Sequence, residues 1–272
     1  MSDEKTMTNY VPREMSFLFS SDPANGALNV SQLGSRFTVQ LDNPIALGNN
    51  AKAPTIEVQQ ASIWYTTPNI SANKGNDQFH FTVGVTSYSF TIPAGLYSVS
   101  ALNQLISREM VSLGLNADQI VLSADNATQK IVLTYNYADT QVNFTPVNTP
   151  REILGFNSRL SPATPSTVGQ SDTGDVVAEF NVLNSYLIHS NLTSRGIPIN
   201  NFGASAIARV PINAEVGRQV NYAPFNPTKS DARELIGKSV NSFDVWLTSQ
   251  DNEPIDTFGE VFSVLVVIRY WA

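Results

Sequence analysis

The sequence predicts an all-β fold, a jelly-roll β-sandwich carrying an inserted α/β subdomain. Three observations predict it: about a dozen short apolar or alternating runs separated by polar breaks, one segment with helical spacing, and a final apolar strand over residues 261–271. The strands are not interleaved with regularly alternating helices, so a parallel α/β sheet is disfavoured. No repeat period stands out that would make a propeller or a solenoid.

Residues 1–34 carry weak periodicity and the turn signals Asp22-Pro23 and Asn25-Gly26, and read as an N-terminal arm. The jelly-roll domain is expected over 35–272, with an insertion at about 75–175. Residues 35–41 alternate Phe37, Val39 and Leu41 against Thr38 and Gln40, the pattern of a half-buried strand. Residues 55–66 change phase: Ile56 and Val58 share one parity, Ala61, Ile63 and Tyr65 the other. A bulge near Gln59-Gln60 reconciles the two. Residues 78–83 and 88–92 read as a hairpin around 84–87.

One helix follows. Ser98 or Ser100 can cap it, Leu102, Leu105, Ile106, Met110 and Leu113 recur at helical spacing, and Gly114 supplies a left-handed stop. Strands at 119–124 and 130–136 flank the turn Asp125-Asn126-Ala127-Thr128, and 141–145 adds a third. A helical turn at 150–154 leads into Gly155-Phe156, and the Pro/Ser/Thr/Gly-rich stretch 161–174 reads as a long surface loop. Strands resume at 176–191, 204–210, 219–222, 238–248 and 261–271. In the last, Phe262, Val264, Val266 and Ile268 fill one face and Val261, Leu265, Val267 and Trp271 a second. It is therefore expected to lie inside the sandwich with its other face covered by a loop, a helix or a neighbouring subunit.

Composition narrows the function. With 272 residues the chain can bury a large core, and without cysteine it has no thiol chemistry and no Cys-bound zinc. Charged residues make up 14%, below the roughly 25% of ordinary soluble domains, so the surface is largely neutral-polar and suited to packing against other subunits. The net charge is −7 with no Lys/Arg run, which disfavours direct nucleic-acid binding. The first residues lack a basic-then-apolar signal, and no apolar run reaches the ~18 residues of a membrane span.

The chain has two histidines, His80 and His189, each inside an expected strand and neither with metal-ligand spacing around it. Asp251, Glu253, Asp256 and Glu260 cluster before the last strand and read as solvated turn residues rather than a glycosidase pair. Gly48, Gly75, Gly84 and Gly95 are scattered and form no phosphate loop. Sequons at Asn29, Asn69, Asn126, Asn143 and Asn191 read as accidents of an Asn- and Thr-rich composition. No catalytic residue, cofactor-binding residue, metal ligand or cofactor is assigned.

Several segments, taken in order, carry a resemblance. They are Ile92-Pro93-Ala94-Gly95-Leu96-Tyr97-Ser98 with Leu102-Asn103-Gln104-Leu105-Ile106, the hairpin 120–133, Val142-Asn143-Phe144-Thr145, and Ile153-Leu154-Gly155-Phe156. Then come 181–192, Pro224-Phe225-Asn226-Pro227, Phe243-Asp244-Val245-Trp246-Leu247, Asp251-Asn252-Glu253-Pro254-Ile255-Asp256, Gly259-Glu260 and 264–269. Over about 35–272 the chain resembles the penton (minor capsid) proteins of polinton-like viruses, virophages and adintoviruses.

The resemblance implies a structural virion protein and no enzyme: a single jelly roll forming homopentamers at the fivefold vertices of an icosahedral capsid of the double-jelly-roll lineage. It would be made in the host cytoplasm and end in the virion. Its implied partners are itself, the major capsid protein and a vertex spike or fibre, with no direct nucleic acid and no membrane span. Three alternatives stand beside it. A major capsid protein would form trimers and need two jelly rolls, about 16 strands. A carbohydrate- or receptor-binding sandwich would use Trp64, Tyr65, Trp246 and Tyr270 as a stacking platform. An enzyme would bring His80 or His189 to a carboxylate and a nucleophile in a pocket.

Overall fold

The computed structural model describes residues 10–181, 183–199 and 202–272. Three strands open the fold: β1 (Pro12–Ser20), β2 (Arg36–Ala46) and β3 (Lys52–Trp64). A middle set follows, with β4 (Gln78–Val83), β5 (Thr86–Thr91), helix α1 (Val99–Ser112), β6 (Ile120–Asp125) and β7 (Lys130–Tyr135). It continues with β8 (Thr140–Asn143), the one-turn helix α2 (Arg151–Leu154), β9 (Leu160–Ser161) and β10 (Gln170–Thr173). The last set is β11 (Ser185–Ser190), β12 (Ile197–Ile199), β13 (Phe202–Pro211), β14 (Gln219–Tyr222), β15 (Ser230–Asp231), β16 (Ser239–Thr248) and β17 (Ser263–Trp271). The chain divides after Thr67 and before Leu183 into two compact units, the outer segments forming one and residues 68–182 the other.

In the first unit eight strands nest by rank along the chain. The first pairs with the last (β1–β17), the second with the seventh (β2–β16), the third with the sixth (β3–β14), and the fourth with the fifth (β11–β13). Such nesting is what a long antiparallel hairpin produces when it is rolled up. The roll then creates two new contacts, β17–β3 and β16–β11. Two sheets result, β1-β17-β3-β14 and β12-β13-β11-β16-β2, and the unit is a jelly roll.

Its core is the set of inward residues that period-2 alternation supplies. Ile56, Val58, Ile63, Val264, Val266 and Ile268 from one sheet and Phe37, Ile188, Phe243, Val245 and Leu247 from the other are almost free of solvent. Each such large side chain contributes about 1.5–3 kcal/mol on burial. Two edge-on aromatic pairs bridge the sheets, Phe19–Phe243 at 5.0 Å and Phe37–Phe262 at 5.4 Å. The phase change in β3 is a bulge: Leu265 faces Gln60 while Val266 faces Val58, leaving Gln59 as the extra residue.

Four expectations differ from the structure. Residues 12–20 are no arm; they form β1 and pair along their length with β17. Residues 1–9 of that segment lie outside the described residues. The stretch 161–174 is not one loop, because β9 and β10 bracket it. Within the described residues of this one chain the second face of the closing strand is covered only in the middle: Val267 is buried and Leu265 half-buried, while Val261 and Trp271 are 39% and 46% exposed. The expected boundaries of the insertion, 75–175, are also narrower than the second unit at both ends.

The second unit is built on two small sheets, β10-β7-β6 and β5-β4-β8-β9. Ser98 caps α1 by accepting from Ala101 N–H at 3.1 Å, and Gly114 ends it with φ +78°. Leu102, Ile106 and Met110 on the helix pack in one core with Phe79, Phe81, Leu122 and Leu133. Gly155 has φ +75°, and a Cβ there would meet the Val176 carbonyl oxygen at 2.3 Å. Only glycine satisfies both conditions. Phe156, next to it, stacks on Phe144 at 4.6 Å.

Candidate functional site

The most chemically suggestive cluster surrounds His189, at the end of β11. A register shift there turns the imidazole between β13 and β16, where it is 1% exposed. Nε2 lies 2.8 Å from Thr248 Oγ1 and Nδ1 lies 3.0 Å from Ser205 Oγ. The Thr248 hydroxyl donates to the Ser249 carbonyl at 3.2 Å, so towards the ring it can only accept. Nε2 therefore carries the proton, and Nδ1 accepts from Ser205. Burial pushes the pKa of His189 down to about 4.

A hydroxyl bonded to a neutral imidazole is half of a nucleophile–base pair. The position that orients the base, however, holds the Thr248 hydroxyl where a triad has a carboxylate. Both partners are neutral, and the cluster holds strands together. His80 lies in the other unit, on β4, with its Nε2 buried and unbonded.

The acidic cluster before β17 forms turns. Asp251, Glu253 and Glu260 are exposed, and Asp256 is half-buried and accepts from Phe258 N–H at 2.8 Å. Among the described residues no three His, Asp or Glu side chains are grouped to hold a metal ion. A cavity of about 270 Å³ in the second unit is lined by Val99, Asp125, Asn126, Gln129, Ile131 and Phe180. Asp125 is occupied there, bonded to the Thr128 hydroxyl and Ala127 N–H, which lower its pKa. Of the sequons, Asn69 is buried and ties the Tyr97 and Phe180 carbonyls at 2.8 and 3.1 Å.

The aromatic platform does not assemble. Trp246 lies between two cross-strand neighbours: His189 of β11 stacks at 5.2 Å, and the Arg36 guanidinium of β2 sits 5.1 Å from its centroid. Both faces are thereby taken. Tyr65 is 6% exposed, and Trp64 and Tyr270 lie towards opposite ends of the first sheet, since β17 runs antiparallel to β3.

What the molecule does present is neutral, shaped surface. Phe225 is fully exposed between Pro224 and Pro227 in the connection from β14 to β15. In the second unit three loops are laced together, Gly84 N–H to the Asp139 carbonyl and Asp139 N–H to the Ser166 carbonyl, both at 2.8 Å. Each displays one exposed apolar residue, Val85, Tyr137 or Val168. Sequence patterns alone did not identify this tip, because its three parts are spread over more than 80 residues of the chain.

Parts of the penton-like pattern have structural roles. The Tyr97 hydroxyl donates to the Pro93 carbonyl at 2.8 Å, Tyr97 N–H donates to Asn69 Oδ1 at 2.8 Å, and Asn103 Oδ1 accepts from Leu122 N–H at 2.7 Å. These bonds fix the turn into α1 and dock the helix on β6. Among solved structures, the mavirus penton protein matches with a TM-score of 0.47 and 13% identity, covering 96% of this chain and 100% of that chain. The chain is similar to a penton protein. The strand order rests on this chain's own backbone pairing. No family model matches the sequence, and no curated protein matches it. No helix among the described residues is long and apolar enough to cross a membrane.

Proposed function

We propose that this chain is a structural protein of an icosahedral virion, a penton that closes fivefold vertices as a homopentamer. The observation that carries the reading is a single complete jelly roll with one unit inserted between its third and fourth strands. A double-roll capsomer needs the nested order twice. The second unit has hairpins, β4–β5 and β6–β7, and a helix in place of a second nest. The low charge and the penton-like motifs of the sequence support the same reading.

In this role function is shape. Flanks and loops of one subunit meet different surfaces of the next, and heterologous contacts close into a ring when the rotation per step is one fifth of a turn. Contacts to the major capsid protein surround the ring, and the three-loop tip with Val85, Tyr137 and Val168 is a landing surface for a spike or fibre. No reacting group is required. A sugar-binding module is the weaker reading, because Trp246 has no free face.

Native mass spectrometry of the full chain tests the proposal. A species of five 29.6 kDa chains is expected. A trimer would favour a major capsid protein, and a monomer with sugar affinity would favour the binding module; either result would overturn the vertex assignment.

A further inference from the structure

One long sheet edge of the roll is left open. Val11 and Ala272 exchange both backbone hydrogen bonds, at 2.9 and 3.0 Å, and Ser21 N–H reaches the Phe262 carbonyl at 2.9 Å. The register between these pairs is unbroken, so odd-numbered residues of β1 bond to β17 and even-numbered ones face away. The N–H groups of Glu14, Ser16 and Leu18 point out of the sheet without a partner among the described residues.

The other edges are protected. A bridge between Leu28 and Thr38 caps β2, and Pro44 interrupts it with a residue that has no N–H. The strands β12, β14 and β15 have three, four and two residues. By contrast β1 runs for nine, and beyond Glu14 it carries no charge, proline or bulge. Natural sheets blunt such edges unless they are used. The flank is also unfinished on both faces: Leu18 is 73% exposed beside half-buried Leu265, and Met15 and Phe17 are half-buried on the inner side.

We propose that the β1 edge receives an extended segment of a different polypeptide of the shell, which adds to the sheet as a further strand. Only another extended backbone matches a row of outward N–H and C=O groups. Its side chains must be apolar where they meet Leu18 and Leu265 on one face and Met15 and Phe17 on the other. A second copy of β1 fits poorly. Antiparallel self-pairing sets even residues against even ones, so Glu14 never lies directly opposite Arg13 in any register. The inference rests on the vertex reading, in which five equivalent edges form an odd set that pairwise self-contacts cannot fill.

The test compares the full chain alone with purified particles. Ser16→Pro deletes an outward donor and leaves the β17 ladder intact; Ser16→Ala is the control. The proline variant should form the same oligomer in native mass spectrometry yet enter particles roughly tenfold less than wild type, the factor expected for losing about one net hydrogen bond. The alanine variant should enter as wild type does. In the wild-type chain the amides of Glu14, Ser16 and Leu18 should exchange freely in the isolated protein and become protected in particles. Equal incorporation of the proline variant, or exchange that does not change on assembly, would overturn the proposal. So would a particle map in which the strand beside β1 comes from another copy or from residues 1–9 of the same chain. If the isolated chain forms no ring, the vertex reading fails, and exchange in particles still decides the edge.

Discussion

Arg269 on the closing strand holds the carboxylate of Glu57, a side chain on β3 that solvent does not reach. The same guanidinium bonds Glu14 on β1 at 2.8 Å, so one arginine ties three adjacent strands. The other carboxylate oxygen of Glu57 is buried without a hydrogen bond.

Removing Arg269 therefore strands a buried anion. Arg269→Met is expected to destabilise the roll by about 3 kcal/mol, whereas the double change Arg269→Met with Glu57→Leu should recover most of that loss. Urea unfolding of the two variants and the wild type checks this; equal losses would show that Glu57 draws little from Arg269.

His189 makes stability depend on pH. Its folded pKa, about 4, lies below the ordinary 6.5, so the native state favours the neutral ring. The resulting stability is complete above pH 6.5 and declines as pH falls towards 4, by about 3 kcal/mol in all. The Asp231, Asp244 and Asp175 carboxyls, also held low by their hydrogen bonds and arginines, titrate further down. His189→Gln should flatten the melting temperature between pH 6.5 and 4.5 relative to wild type. Parallel curves for the two proteins would contradict the assignment.

Gly155 and Gly26 separate two kinds of constraint. Both have positive φ, +75° and +87°, but only at Gly155 does a Cβ meet backbone. Gly26→Ala should lose about 1 kcal/mol, from the left-handed conformation alone. Gly155→Ala should lose at least about 3 kcal/mol, because the Val176 backbone must also move. Limited proteolysis within residues 68–182 would report the second loss locally; similar protease sensitivity in both variants would refute the distinction.

Local signals in the sequence were reliable where one side chain answers to its immediate neighbours. The parity change over Ile56 to Ile63 placed the bulge near Gln59-Gln60 because it is a count of inward and outward residues, and the pairing selected Gln59. The cap of α1 was legible as one of two serines, and the structure selected Ser98. By contrast β1 was misread because its alternation, Met15, Phe17, Phe19, is blurred by the exposed Leu18 between them. The short β9 and β10 escaped because their pairing, to β8 and β7, outweighs a composition that locally favours loops.

The candidate cluster behaved differently. His189 was visible as a residue inside a strand, but Ser205 and Thr248 reach it from two other strands, and no spacing in the chain connects the three. That both faces of Trp246 are occupied likewise depends on residues 36 and 189 meeting across one sheet.

By itself the sequence determined the period of the longer inner strands, the neighbourhood of the bulge, the single long helix and a surface poor in charge, since these follow from side chains within a few residues of one another. Only the tertiary structure decided the rolled order. Its outermost strand pair, β1 with β17, joins segments about 250 residues apart in the sequence, and such pairing is selected by which inward faces fit a common core. The open edge of β1 is decided the same way, for an edge is defined by what lies beside it.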